Sequence, residues 1–197
     1  SRYADRTRSL QEELARTTSL VEESVSGIRV VKGRIDELMH LLGGALKDTP
    51  ATDLGATVGK EVLSRAGIEP DRVDQVIVGN ILSAGQGMNP GRQVGIKTGL
   101  PVTPPGMTLN RMCGSGLQAI VSAAQEVALG DADVVMAGGI ENMDRAPFLM
   151  PKGRYGYRMG MPDAKIYDHM VYDGLWDVFN DYHMGVTSEN MTREYGV

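Results

Sequence analysis

Cysteine, phenylalanine, tryptophan and histidine are all scarce in this chain: 197 residues hold one Cys, two Phe, one Trp and three His. One thiol cannot form an internal disulfide, so nothing calls for an oxidising compartment. No window is apolar for long enough to span a bilayer, and the first residues are charged rather than signal-like. Positive charge is also short. Twenty Lys and Arg against 25 Asp and Glu leave a formal net charge of −5, which argues against a general nucleic-acid binder. No membrane, nucleic-acid or metal partner is therefore expected, and the default compartment is the cytoplasm. Glycine is plentiful, at 25, and so is methionine, at 12. With 42% hydrophobic and 23% charged residues, the composition fits a globular α/β protein with one good core.

Three units follow along the chain. Residues 1–42 are charged and helix-prone, with a modest apolar stripe at Leu10, Leu14 and Val21 and a second helical patch over 35–42. The segment 28–31 fits either a continuous helix or a short strand. Residues 43–140 are orderly. Thr49 is placed as an N-cap with Pro50 at the first helical position, Leu54, Val58, Val62 and Leu63 form a helix face, and Gly67 stops the helix. Val76-Ile-Val78 reads as a buried strand, 83–90 as a glycine-rich loop, 90–98 as a short helix and 100–105 as an irregular connection. Gly85-Gln-Gly87 lacks the third glycine of a dinucleotide fingerprint, so NAD is rejected. A strand into Cys113, a helix to Leu129 and a fully buried strand over 133–137 complete a βαβ unit with a largely parallel sheet. Residues 141–197 read as a long polar excursion, with a helix over 167–179 that places Met170, Val171, Leu175 and Phe179 on one side. Lys152, Arg154, Arg158 and Lys165 give it a basic character, and Met143, Met150 and Met184 are either packing residues or a pliable apolar lining.

Cys113 stands at the turn between strand and helix, followed by Gly114-Ser-Gly116 and by apolar residues at Leu117, Ile120, Val121, Ala124, Val127 and Ala128. The positive end of a helix favours a thiolate there, and the glycines would let a carbonyl approach backbone N–H groups that could hold an oxyanion. These features describe a nucleophilic cysteine in acyl transfer. A buried free cysteine at a helix start fits the same spacing.

The motif Asn110-Arg-Met-Cys-Gly-Ser-Gly116 resembles the nucleophile motif of the thiolases, acyl-CoA acetyltransferases that make or cleave 3-oxoacyl-CoA. Gly43-Gly-Ala-Leu-Lys-Asp-Thr-Pro-Ala51, Val78-Gly-Asn80, Gly87-Met-Asn-Pro-Gly-Arg-Gln93, Ala137-Gly-Gly-Ile-Glu-Asn-Met143 and Tyr182-His-Met-Gly185 extend the resemblance in order along the chain. It implies a thiolase-like N-terminal domain over 43–140 and part of a CoA-binding loop domain over 141–197. It also implies that Cys113 carries the acyl group, that His183 and Met184 line the substrate pocket and that Leu175 makes an apolar CoA contact. Coenzyme A thioesters would be substrates, with no permanently bound cofactor, and the family's subunits pair as dimers or tetramers. His40 and His169 match no motif and read as packing or surface residues.

Residues 1–42 lack the family's opening strand and Arg-Thr-Pro-type turn. Leu20-Val-Glu-Glu-Ser-Val-Ser-Gly-Ile-Arg-Val-Val-Lys32 resembles, over a short stretch, a helix of an ABC exporter membrane domain. Thiolases also have a second domain, with a histidine that activates the nucleophile and a second cysteine that moves the α-carbon proton. With a single Cys, the chain cannot supply that second residue, so it is expected to be inactive alone and to expose apolar surface. A β-ketoacyl synthase fragment, which also places a cysteine on such an elbow, and a non-catalytic interaction protein are the alternatives.

Overall fold

The computed structural model describes residues 44–156 and 165–196. The expected leader helices, segment 28–31, His40 and Arg158 lie outside the described residues. Three parallel strands form the central sheet: β1 (Gln75–Gly79), β2 (Gly106–Leu109) and β3 (Val135–Gly139), in the order β2-β1-β3. Val76 faces Gly106 on one side and Met136 on the other. Helices α1 (Ala51–Ala66) and α2 (Pro90–Thr98) precede β1 and β2, and α3 (Ser115–Leu129) precedes β3.

The two-residue alternation of a strand sorts β1 into two apolar clusters. Val76 and Val78 pack with Leu63, Val94 and Leu100 on the face that α1 and α2 cover. Ile77 turns to the opposite face and packs with Ala119 and Ala123 of α3. The crossovers from β1 and from β2 thus run on opposite faces. Their divergence opens a crevice at the carboxyl ends of these two strands, where open α/β sheets bind ligands.

Several expectations are corrected. Pro50, not Thr49, occupies the N-cap of α1; no side chain caps it, and the Pro50 carbonyl accepts from the N–H groups of Asp53 and Leu54 at 2.9 and 3.2 Å. Leu63 is buried as expected, but Val58 is exposed. The helix turns its small residues inward because α2 comes so near. A Cβ on Gly59 would lie 2.6 Å from Thr98 Oγ1, and one on Gly55 2.9 Å from Val94. Strand β3 is half-buried rather than fully buried, being an edge of the described sheet. The apolar stripe that identifies α3 is not the face it buries. Ser115, Ala119 and Ala123 face the sheet, whereas Leu117 and Val121 face outward at 66% and 42% exposure.

The excursion holds short elements: antiparallel β4 (Phe148–Leu149) and β5 (Tyr167–Asp168), α4 (His169–Gly174), the hairpin β6 (Trp176–Asp177) and β7 (Tyr182–His183), and α5 (Met184–Tyr195). The helix expected over 167–179 is confined to α4. Asp168 caps its start by accepting from the Met170 N–H, and Asp177 folds the following turn by accepting from Phe179 and Asn180. Phe179 is left almost fully exposed at that turn. Helix α5 has no buried residue, although Met184, Thr187, Met191 and Tyr195 recur along it at helical spacing. No helix among the described residues is long and apolar enough to cross a membrane.

Candidate active site

Cys113 is exposed on the connection from β2 to α3. Four interactions make that connection a tight elbow. Asn110 Oδ1 accepts from the Met112 N–H at 2.9 Å. Ser115 Oγ accepts from the Arg111 N–H at 2.8 Å and donates to the Met112 carbonyl at 2.6 Å. The Gly114 N–H donates to the Arg111 carbonyl at 3.2 Å. Met112, just before the cysteine, takes a left-handed φ of 50°, a conformation that costs a non-glycine residue about 1 kcal/mol or more. The buried Ser115 hydroxyl supports that geometry by satisfying backbone groups on both sides of the bend.

The elbow is pressed onto the sheet by backbone contact. A Cβ on Gly79, at the end of β1, would lie 2.4 Å from the Ser115 carbonyl carbon and 2.7 Å from the Gly116 nitrogen. Gly139 meets Gly116 in the same way from β3, its added Cβ falling 3.1 Å from the Gly116 Cα. The start of α3 therefore rests directly on two strand ends, which fixes where the Cys113 thiol emerges. The Gly114 and Ser115 N–H groups are spent on Arg111 and Met112 carbonyls, so these two amides close the turn rather than face a substrate.

Beside the elbow, an open groove of about 520 Å³ follows the carboxyl ends of β1 and β2 and is lined in part by Asn80, Asn89, Thr108 and Asn110. It reaches Asn110, the elbow's first residue, and Cys113 is not among its lining residues. Asn80 is buried there and donates through Nδ2 to Glu141 Oε1 at 2.8 Å. Glu141 also accepts from the Ile81 and Leu82 N–H groups at 2.8 and 3.2 Å, pinning the loop that leaves β1. Burial pushes its carboxyl above the ordinary value, against these hydrogen bonds, which pull it down. Asn142 donates to the Leu46 and Thr49 carbonyls at 3.0 and 2.8 Å, fixing the entry to α1. Glu141 and Asn142 fall within a quoted motif, yet only the fold shows that they tie distant loops to the sheet. Ser115 and Asn80 likewise fall within motifs given above, and their hydrogen-bonding roles appear only in the fold.

Leu175, His183 and Met184 are brought together. The Met184 N–H donates to the Leu175 carbonyl at 2.9 Å across the β6–β7 hairpin. His183 ends β7 and caps α5, its Nδ1 accepting from the Gly185 N–H at 3.0 Å. With Nδ1 as acceptor, the neutral ring carries its proton on Nε2. Among the described residues no hydrogen bond or ion pair links Cys113 to this group. Lys152 and Arg154 are exposed, and Arg154 edges an open depression with Leu149, Met150 and Pro151. No group of three His, Cys, Asp or Glu among the described residues is placed to hold a metal ion.

A cysteine elbow seated on a parallel sheet, followed by a loop excursion bearing a histidine that caps a helix, is the arrangement expected of a thiolase N-terminal half. The chain belongs to the thiolase family: residues 28–197 match the family described as thiolase, N-terminal domain. That match begins upstream of residue 43, where the resemblance of individual motifs starts. Among curated relatives, an acetyl-CoA acetyltransferase of Cupriavidus necator is 54% identical over 155 residues, which are 79% of this chain and 39% of the relative. An acetyl-CoA acetyltransferase of Pseudomonas aeruginosa is 53% identical over 154 residues, 78% of this chain and 39% of the relative. The chain thus spans well under half the length of these relatives.

Proposed function

We propose that this chain carries the acyl-accepting half of a thiolase-type acetyl-CoA acyltransferase site. Cys113 Sγ attacks the thioester carbonyl of an acyl-CoA. The carbonyl carbon then bonds to Cys113, its bond to the CoA sulfur breaks, and the proton lost from the cysteine thiol ends on CoA. The observation that carries this reading is the elbow. A strained Met112, a Ser115 hydroxyl and the Gly79 and Gly139 contacts hold one exposed thiol at the carboxyl end of a parallel sheet. The acyl-CoA substrate is inferred from the names of the relatives, and a permanently bound cofactor plays no part in the reading.

In this reading His183, whose Nδ1 accepts from the Gly185 N–H, offers its Nε2–H to the substrate, with Leu175 and Met184 as apolar contacts for the pantetheine and acyl parts. Activation of the cysteine and proton movement at the α carbon belong, by the family resemblance, to a second domain whose motifs are not among these 197 residues. The outward Leu117 and Val121 face of α3 is where such a domain, or a second copy of the chain, would pack. The 197-residue protein is accordingly expected to self-associate and to cleave no acetoacetyl-CoA. It should nevertheless take up an acetyl group slowly at Cys113 from acetyl-CoA. Peptide mass spectrometry after incubation tests this. A thioester on the Cys113 peptide, absent in Cys113→Ala, is the expected result; acetylation of lysines alone would sink the reading.

A further inference from the structure

The excursion has one buried residue among those described between 141 and 196, and it is a histidine. His169 begins α4 and is 6% exposed. Its ring sits where three separate segments meet. Nδ1 lies 2.5 Å from Asp173 Oδ2 one turn along α4, and Nε2 accepts from the Ala84 N–H, on the loop after β1, at 3.4 Å. Its own backbone N–H donates to the Pro147 carbonyl at 3.1 Å, beside β4. Just beyond it, an added Cβ at Gly174 would lie 3.3 Å from the Leu82 side chain, so α4 closes on the same loop from its other end. That loop is the one Glu141 pins, and Leu175 follows α4 directly.

We propose that His169 is the positioning residue that sets the Leu175–His183–Met184 group against the carboxyl end of the sheet. With Nδ1–H donating to Asp173 and Nε2 accepting from the Ala84 N–H, the ring is the neutral Nδ1–H tautomer, the only ring state that can make both bonds. Leucine or phenylalanine would fill the space but could not satisfy the Ala84 N–H. The role concerns the placing of an acyl-CoA contact, and to that extent it rests on the function proposed above.

The test separates acceptor geometry from mere volume in the 197-residue protein. His169→Gln can place Oε1 where Nε2 lies and keep the acceptor, whereas His169→Asn is too short to reach Ala84. Hydrogen exchange at the Ala84 amide should quicken about five- to tenfold in His169→Asn, as loss of one ordinary hydrogen bond implies, and stay near wild type in His169→Gln. Acetyl-CoA affinity should fall with the same ranking. Asp173→Ala, a change at an accessible carboxylate, should loosen Ala84 while His169 remains, which a space-filling role would not predict and which serves if His169→Asn does not fold. Equal exchange in the Asn and Gln variants, or an unchanged Ala84 amide in Asp173→Ala, would overturn the proposal. If no variant and no wild-type protein binds acetyl-CoA, the acyl-CoA reading fails while the exchange data still decide the role of His169.

Discussion

Residues 51–139 and the described residues between 141 and 196 reach order by different means. In the first region, Val76, Ile77 and Val78 alternate between two apolar clusters, and helices are drawn onto the sheet until glycine backbones touch. In the second, one buried histidine, carboxylate-capped turns and two-residue strands hold the chain, and Phe148 and Phe179 are left exposed. Burial of apolar area is non-directional and tolerates modest change, whereas a polar link fails outright when one partner is lost. The first region therefore places the Cys113 thiol by packing. The second places His183 by a few directional bonds.

The largest effect should come from breaking the packed region where its backbones meet. Gly79→Ala puts a methyl 2.4 Å from the Ser115 carbonyl carbon, and both neighbours are main chain that cannot turn aside. A loss of at least about 3 kcal/mol is expected, at the severe end for overpacking, with chemical denaturation as the readout. The next effect tests the seam between the regions. Glu141→Ala strips acceptors from Asn80, Ile81 and Leu82 and should cost about 2 kcal/mol in the same assay.

Glu141 also gives a pH signature. Its folded value lies above its ordinary one, so the folded state holds that proton more tightly than the unfolded state does. Its protonation therefore favours folding at low pH, and that contribution is lost as pH rises through the folded value. Relative to Glu141→Gln, the wild type should gain stability as pH falls through the raised folded value towards the ordinary 4.5. A difference that moves the other way would mean that the hydrogen bonds to Glu141 outweigh its burial. Asp74 carries the opposite sign. The Val134 and Asp133 N–H groups hold its carboxyl below the ordinary value, so its contribution is present above that value and lost as pH falls through the lowered one.

Ser115→Ala sharpens the account of the elbow. It leaves the Arg111 N–H without its acceptor and should cost about 1–2 kcal/mol while also slowing acetylation of Cys113. An unchanged acetylation rate would separate the elbow's stability from its chemistry. The smallest effect belongs to the excursion's tip. Phe179→Ser should stay within about 0.5 kcal/mol, since the ring is 94% exposed.

Much of the packed region is legible from residue pattern. Val76-Ile-Val78 announces a strand buried on both faces, Gly67 a left-handed helix stop, and Asn110 to Gly116 a turn into a helix. These signals are local and depend on what each residue's own backbone can adopt. The excursion shows much less of itself. Helix α5 buries no residue, so its spacing marks no core, and the turn at Asp177 that follows α4 depends on a side chain accepting from particular N–H groups.

The sequence by itself determined the family, the sheet-forming runs and the identity of the one cysteine, because these rest on local periodicity and on ordered motifs. Only the tertiary structure decided which side of α3 faces the sheet. Its apolar stripe pointed one way, but Gly79 and Gly139 meet the backbone of Ser115 and Gly116, and Ile77 packs on Ala119 and Ala123. The roles of Glu141 and His169 were decided there too. A buried polar group takes its meaning from partners, and theirs lie 59 or more residues away in Asn80, Ile81, Leu82 and Ala84.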